Sequence, residues 1–141
     1  RVRAAIRLAG LGEYVTWLGE VDLAGKLALL RGCSAFCQPS RAPEARGMAA
    51  LEAMACAAPV IAPDAGIFPE VRALTGLGRL FTPGDPDHLA HACAAVMDDL
   101  VVARQAALDA LPPFAAHFSA ARMADDVLAA MAPPPSRTAT T

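Results

Sequence analysis

The feature that most constrains this chain is an alternation of two apolar periods. Short runs that are apolar on both faces are separated by segments of helical periodicity. Residues 14–18 (YVTWL) read as a strand ending at Gly19, and 22–31 (DLAGKLALLR) as a helix with Asp22 as its N-cap. Residues 34–38 (SAFCQ) read as a second strand, closed by Pro39-Ser40, and 47–56 (GMAALEAMAC) as a helix. Pro59-Val60-Ile61-Ala62 is a short strand, 68–74 a short helix, 78–82 (GRLFT) a fourth strand, and Pro83-Gly84-Asp85-Pro86 a turn. The next helix carries Leu89, Cys93, Val96, Met97 and Leu100 on one face. A further helix covers 101–110 until Pro112-Pro113 breaks it. The last starts near Ser119, with Phe118 and Met123 placed as a hydrophobic staple and Met123, Val127, Leu128 and Met131 as its buried stripe. Strands buried on both faces and separated by helices imply right-handed βαβ units, a parallel sheet and an α/β fold. Ligands of such sheets bind beyond the carboxyl ends of the strands, which directs attention to the loops after Leu18, Gln38, Ala62 and Phe81.

A chain of 141 residues fits one domain, with 55% hydrophobic residues to fill its core. We expect that domain over residues 1–131 and a loose tail over 132–141. The chain opens on Arg1, already in a helical pattern (RVRAAIRLAG), so the expectation is a fragment whose beginning is missing. A net charge of -2 with scattered arginines excludes a basic nucleic-acid surface. No apolar stretch reaches bilayer length and no signal peptide is recognisable, so a cytoplasmic location is expected. Cys33, Cys37, Cys56 and Cys93 lack metal-ligand spacing and read as reduced, buried thiols.

The informative loop follows the second strand. Gly47 lets the backbone approach a ligand closely, and the amides of Gly47, Met48 and Ala49 stand free at the start of a helix. Free amides and the positive helix end together suit a diphosphate. Glu44 lies just before this point, and Glu52 about one turn inside, between Leu51 and Ala53-Met54-Ala55. A carboxylate in such apolar company requires a fixed partner. Vicinal sugar hydroxyls would supply one, so that one glutamate holds a hexose and the other a ribose. The structural alternative is a surface Glu44 and a Glu52 paired to an arginine such as Arg72 or Arg79.

Glu44, seven residues, then Glu52-Ala53-Met54-Ala55-Cys56 and Pro59-Val60-Ile61-Ala62 resembles the E-x7-E signature of retaining GT-B glycosyltransferases of family 4. Trp17-Leu18-Gly19-Glu20-Val21, Ser34 to Ser40, Gly66-Ile67-Phe68-Pro69-Glu70-Val71, and Gly78-Arg79-Leu80-Phe81 with Pro83-Gly84-Asp85 resemble further segments of that family, in its order, over about residues 13–100. The resemblance implies a Rossmann-like parallel sheet flanked by helices, the carboxy-terminal, donor-binding half of such an enzyme. It implies a nucleotide-diphosphate sugar as substrate and no metal for catalysis. Glu44 would contact the donor hexose, the amides of Gly47, Met48 and Ala49 the hexose and diphosphate, Glu52 the ribose, and Val21 the base. Arg46 stands where the family usually has Phe; its guanidinium could reach a phosphate or disturb the loop. The glycine that usually precedes "PV" is replaced by Ala57-Ala58. The family's basic pair for the diphosphate lies upstream of the first strand seen here, as does the amino-terminal domain that binds acceptor. That domain is the expected partner, and any peripheral membrane contact would run through it. Lys26 sits in the wrong element to belong to the basic pair. Two other readings are a GT-B sugar-nucleotide epimerase and a non-catalytic interaction domain.

The remaining candidates point to structure. His88 and His91 lie three apart beside Asp87 with no third ligand evident, so no metal site is expected. His117 reads as a loop or helix-entry residue, Glu70 as part of the helix after Pro69, and Trp17 as core.

Overall fold

The computed structural model describes residues 2–132. Residues 133–141, most of the expected tail, lie outside the described residues. The elements in chain order are α1 (Val2–Leu8), a single 3-10 turn (Gly12–Tyr14), α2 (Leu23–Gly32), β1 (Phe36–Cys37), α3 (Met48–Ala55), β2 (Val60–Pro63), α4 (Phe68–Thr75), β3 (Arg79–Phe81), α5 (Pro86–Met97), α6 (Leu100–Asp109), α7 (Leu111–Phe118) and α8 (Ala120–Met131).

The sheet is parallel throughout, in the order β1-β2-β3. Phe36 pairs with Val60 and Cys37 with Ile61, while Ile61, Ala62 and Pro63 face Arg79, Leu80 and Phe81. Every residue of β2 is buried. Its side chains alternate between two apolar layers, as the pleat requires. Val60 and Ala62 point to one side, where Leu30 of α2, Ala50, Ala53 and Met54 of α3, Phe68 and Val71 of α4 and Ala107 of α6 gather. Ile61 points to the other, against Phe81, Ala92 and Val96. Fully buried side chains of this size stabilise by about 1.5–3 kcal/mol each. A strand apolar at consecutive positions is thus explained by helices on both of its faces.

Helix starts follow the local chemistry. Carboxylates of Asp22, Asp85 and Asp99 accept from the amides of Gly25, His88 and Val102 at 2.8–3.0 Å, and Ser119 Oγ accepts from Arg122 N at 3.3 Å. At its other end α3 closes with a pair of reversed bonds, Ala57 N to Met54 O at 2.9 Å and Ala58 N to Ala53 O at 3.0 Å. The residue that must turn left-handed there is Ala57, at φ +55. A side chain in this conformation costs about 1–2 kcal/mol, so replacing the usual glycine by Ala57 stores local strain.

The structure differs from the sequence expectation at five places. Residues 14–18 are not a strand: Val15 is extended, but the segment pairs with no other strand among the described residues. Extended backbone becomes a strand only when a neighbour takes its amides and carbonyls, and the apolar pattern cannot supply that neighbour. Trp17 is correspondingly half exposed rather than core, with Arg3 stacked 4.8 Å above its ring. Pro112-Pro113 does end α6, but α7 begins at once with the prolines in its first turn, where a missing amide costs nothing. Met97 is exposed at the edge of the α5 stripe, while Val96 carries the burial. The stripe on α8 is not buried: Met123, Val127, Leu128 and Met131 are 52–76% exposed, because α8 packs on α7 and no described element covers its outer side. None of the four cysteines is fully buried, and Cys37 is exposed; all four are free thiols.

Candidate functional site

The loop after β1 and the turn after β2 meet at the carboxyl edge of the sheet. The amide of Ile67 donates to the carbonyl of Glu44 at 2.9 Å, which pins the loop to the start of α4. Gly66, at φ +62, makes this contact possible: a Cβ there would overlap the backbone of Glu44. The half-buried Glu44 is therefore set in place through its main chain.

Gly47 caps α3 in a left-handed conformation at φ +59 and is buried. A Cβ on it would lie 2.9 Å from both Ile67 Cγ2 and Phe68 Cε1. Its glycine character thus answers to packing against α4, where the sequence pattern suggested ligand approach alone. No side chain caps α3. The first amides of that helix, those of Met48 and Ala49, sit on exposed residues and have no carbonyl a turn earlier to bond. That leaves partial positive charge at the helix start, in a form that suits an anion. Arg46 is exposed one residue before the cap and has no ion-pair partner among the described residues.

Glu52 does have a partner, but not an arginine. Lys26 Nζ of α2 donates to its Oε1 at 2.8 Å, and both side chains are about 40% exposed. Arg72 and Arg79 are exposed elsewhere and take no part. The sequence pattern missed Lys26 because the two residues stand 26 apart on separate helices. Val21 precedes the α2 cap and is partly exposed, so the Lys26 tie places the start of α2 beside α3. Gly47, Met48, Ala49 and Glu52 thus share one helix, with Glu44 and Arg46 on the loop leading into it and Val21 on the adjacent helix start.

Glu52 and Met48 also line an open groove of about 740 Å³ between α3, α7 and α8, walled by Leu51, Phe114, Phe118, Met123 and Val127. Glu44 is not on that groove. At the carboxyl end of β3, Thr82 N donates to His88 Nδ1 at 3.1 Å, which gives His88 a structural task. His91 and His117 are exposed, and among the described residues no three metal-ligating side chains converge. No helix among the described residues is long and apolar enough to cross a membrane.

Two thiols are perturbed. Although Cys37 is exposed as a residue, partial desolvation of its sulfur, reinforced by Cys93, pushes it up to about 11 from an ordinary 9.0. Burial also raises Cys33, partly offset by Arg104. Neither thiol is activated for nucleophilic chemistry, which needs the opposite shift.

The chain is similar to known proteins in sequence and in fold. The chain is 39% identical over 88 residues to a phosphatidyl-myo-inositol mannosyltransferase of Mycobacterium leprae, covering 62% of this chain and 24% of that protein. It is 34% identical over 89 residues to the phosphatidyl-myo-inositol mannosyltransferase of Mycolicibacterium smegmatis, covering 63% and 23%. Sucrose-phosphate synthase from Thermosynechococcus elongatus superposes with a TM-score of 0.77 at 27% identity, over 92% of this chain and 34% of that one. The chain therefore spans about a quarter of the length of these curated relatives. Its parallel sheet flanked by helices is that of a GT-B glycosyltransferase. The profile of the family described as Glycosyl transferases group 1 matches residues 1–108, and the chain belongs to that family.

Proposed function

We propose that this chain is the donor-binding part of a retaining, family 4 hexosyltransferase that takes its sugar from a nucleotide diphosphate. The observation that carries this reading is the uncapped start of α3, with Gly47 locked against Phe68 and a carboxylate on either side of it. The diphosphate lies on the Met48 and Ala49 amides, with Arg46 adding charge from the loop. Glu44 accepts from hydroxyls of the hexose, Glu52 from those of the ribose, and Val21 lies against the base. Each carboxylate–hydroxyl bond contributes about 1.5–3 kcal/mol. The hexose we favour is mannose, since the relatives matched at 34–39% identity are named as mannosyltransferases. No metal enters the scheme, because amides and guanidinium supply the positive charge. The acceptor is bound by a second, amino-terminal domain, which is the main partner of this surface.

The test is titration of the chain with UDP-, GDP- and ADP-hexoses, followed by amide NMR, which reads dissociation constants into the millimolar range. Shifts should centre on residues 44–52 and on Val21. Glu52→Ala should weaken nucleotide and nucleotide sugar alike, about tenfold or more. Glu44→Ala should weaken the nucleotide sugar but not the free nucleoside diphosphate. Shifts confined to α7 and α8, or unchanged affinity in Glu52→Ala, would refute the assignment.

A further inference from the structure

Lys26 is the single lysine of the chain, and its ammonium is spent on one carboxylate oxygen. The pair joins α2 to α3 at 2.8 Å with both side chains about 40% exposed. Ion pairs in such a setting contribute little to stability, about 0–1 kcal/mol, so holding two helices together accounts for little of what the contact does. Its effect on Glu52 is larger in consequence. Glu52 shares the wall of the groove with Met48, Leu51 and Ala55, which offer its carboxylate no hydrogen bond. Without the ammonium the carboxylate is free to turn into solvent among several rotamers. With it, one lone pair of Oε1 is engaged, and the second lone pair of Oε1 and both of Oε2 remain open. That is enough for two hydroxyls on adjacent carbons, provided the carboxylate plane is held still.

We infer that Lys26 is the positioning residue for the donor ribose: it holds the Glu52 carboxylate in the orientation that accepts both hydroxyls of the vicinal diol. The inference rests on the reading of Glu52 given above. Because Lys26 acts through Glu52, its removal is felt only by ligands that present the diol.

The experiment compares wild type, Lys26→Met and Lys26→Arg by amide NMR titration with three probe sets. These are UDP, GDP and ADP; the 2′,3′-dideoxy analogues of the same three; and inorganic pyrophosphate. Wild type should prefer the best-bound ribonucleotide over its dideoxy analogue by about tenfold. Lys26→Met should lose most of that preference, binding the ribonucleotide about five- to tenfold more weakly while its affinity for the dideoxy analogue and for pyrophosphate moves less than twofold. Lys26→Arg, which can donate to the same oxygen, should recover at least half of the preference. A thermal melt serves as the folding control, and the exposed pair predicts a midpoint within a few degrees of wild type. Equal weakening of ribonucleotide, dideoxy analogue and pyrophosphate would make Lys26 a phosphate charge and overturn the inference, as would full retention of the preference in Lys26→Met. A wild type that binds ribonucleotide and dideoxy analogue equally, or binds neither, would instead overturn the reading of Glu52, and the role of Lys26 with it.

Discussion

Replacing Gly66 by alanine tests how the loop bearing Glu44 is held. Two costs combine. The first is conformational: at φ +62 a side chain is disfavoured by about 1–2 kcal/mol. The second is contact. The new Cβ would fall 2.6 Å from Glu44 N and 3.0 Å from Glu44 C, as well as on its carbonyl oxygen. These are backbone atoms and cannot rotate away, so the loop must move. Movement lengthens the 2.9 Å bond from Ile67 N to Glu44 O, a loss of about 0.5–1.5 kcal/mol. Against this stands a gain of about 0.4–1 kcal/mol from the stiffer unfolded chain. The net expectation is a loss of about 0.5–3 kcal/mol. Gly76→Ala, at the other end of α4, isolates the contact cost: its φ is +72, yet nothing lies within 4 Å of its Cβ. It should lose only about 0–1.5 kcal/mol. Urea titration of both variants, read by far-UV circular dichroism with a common slope, should separate them by the contact cost, about 0.5–1.5 kcal/mol. A separation below about 0.5 kcal/mol would mean that the loop yields freely and that Gly66 does not pin Glu44.

Other outcomes follow from single features. The side-chain oxygen of Gln38 is buried with no hydrogen-bond partner among the described residues, which costs about 1–3 kcal/mol; Gln38→Met should leave stability unchanged or raise it by about 1 kcal/mol, and a loss above 1 kcal/mol in urea would show the oxygen to be bonded. Cys37 should react slowly with iodoacetamide at pH 7.5 compared with a free thiol, its rate climbing toward pH 11. Since its folded value lies above the unfolded one, the stability tied to that thiol is intact below about pH 9 and falls as pH rises through 11; a melting midpoint that rises over this range after correction for other groups would contradict the shift. Leu128→Ser on α8 should change stability by less than about 0.5 kcal/mol, because the side chain is already exposed; a loss above 2 kcal/mol would place it in a core.

The parts of the fold that are legible in the sequence are those whose cause is local. Asp22, Asp85, Asp99 and Ser119 mark helix starts because a side chain bonds an amide three residues on. The strand at Val60-Ile61-Ala62 is legible because burial on both faces leaves no polar position. The illegible parts depend on partners distant in the chain. YVTWL has a strand's composition and no strand to pair with among the described residues, and α8 has a buried helix's pattern but packs only on α7, which leaves its stripe exposed. At the site, the loop, Gly47 and the helix start were legible from Glu44 to Glu52. Lys26 was not, because nothing about a lysine on one helix announces which carboxylate a neighbouring helix will present. The reason for Gly47 was half legible: its left-handed turn is a local matter, but the Phe68 ring against it comes from the next βα unit.

The outer strands have a consequence for how this chain behaves at high concentration. β1 spans two residues and is followed within two by Pro39, and β3 spans three and is followed within two by Pro83. Such short, proline-stopped rims give a foreign backbone almost no ladder to extend, so the described strands offer fibril growth by strand addition little template. Self-association through exposed apolar side chains, such as those of Met123, Leu128 and Met131 on α8, should dissolve in mild detergent rather than ripen into cross-β aggregates.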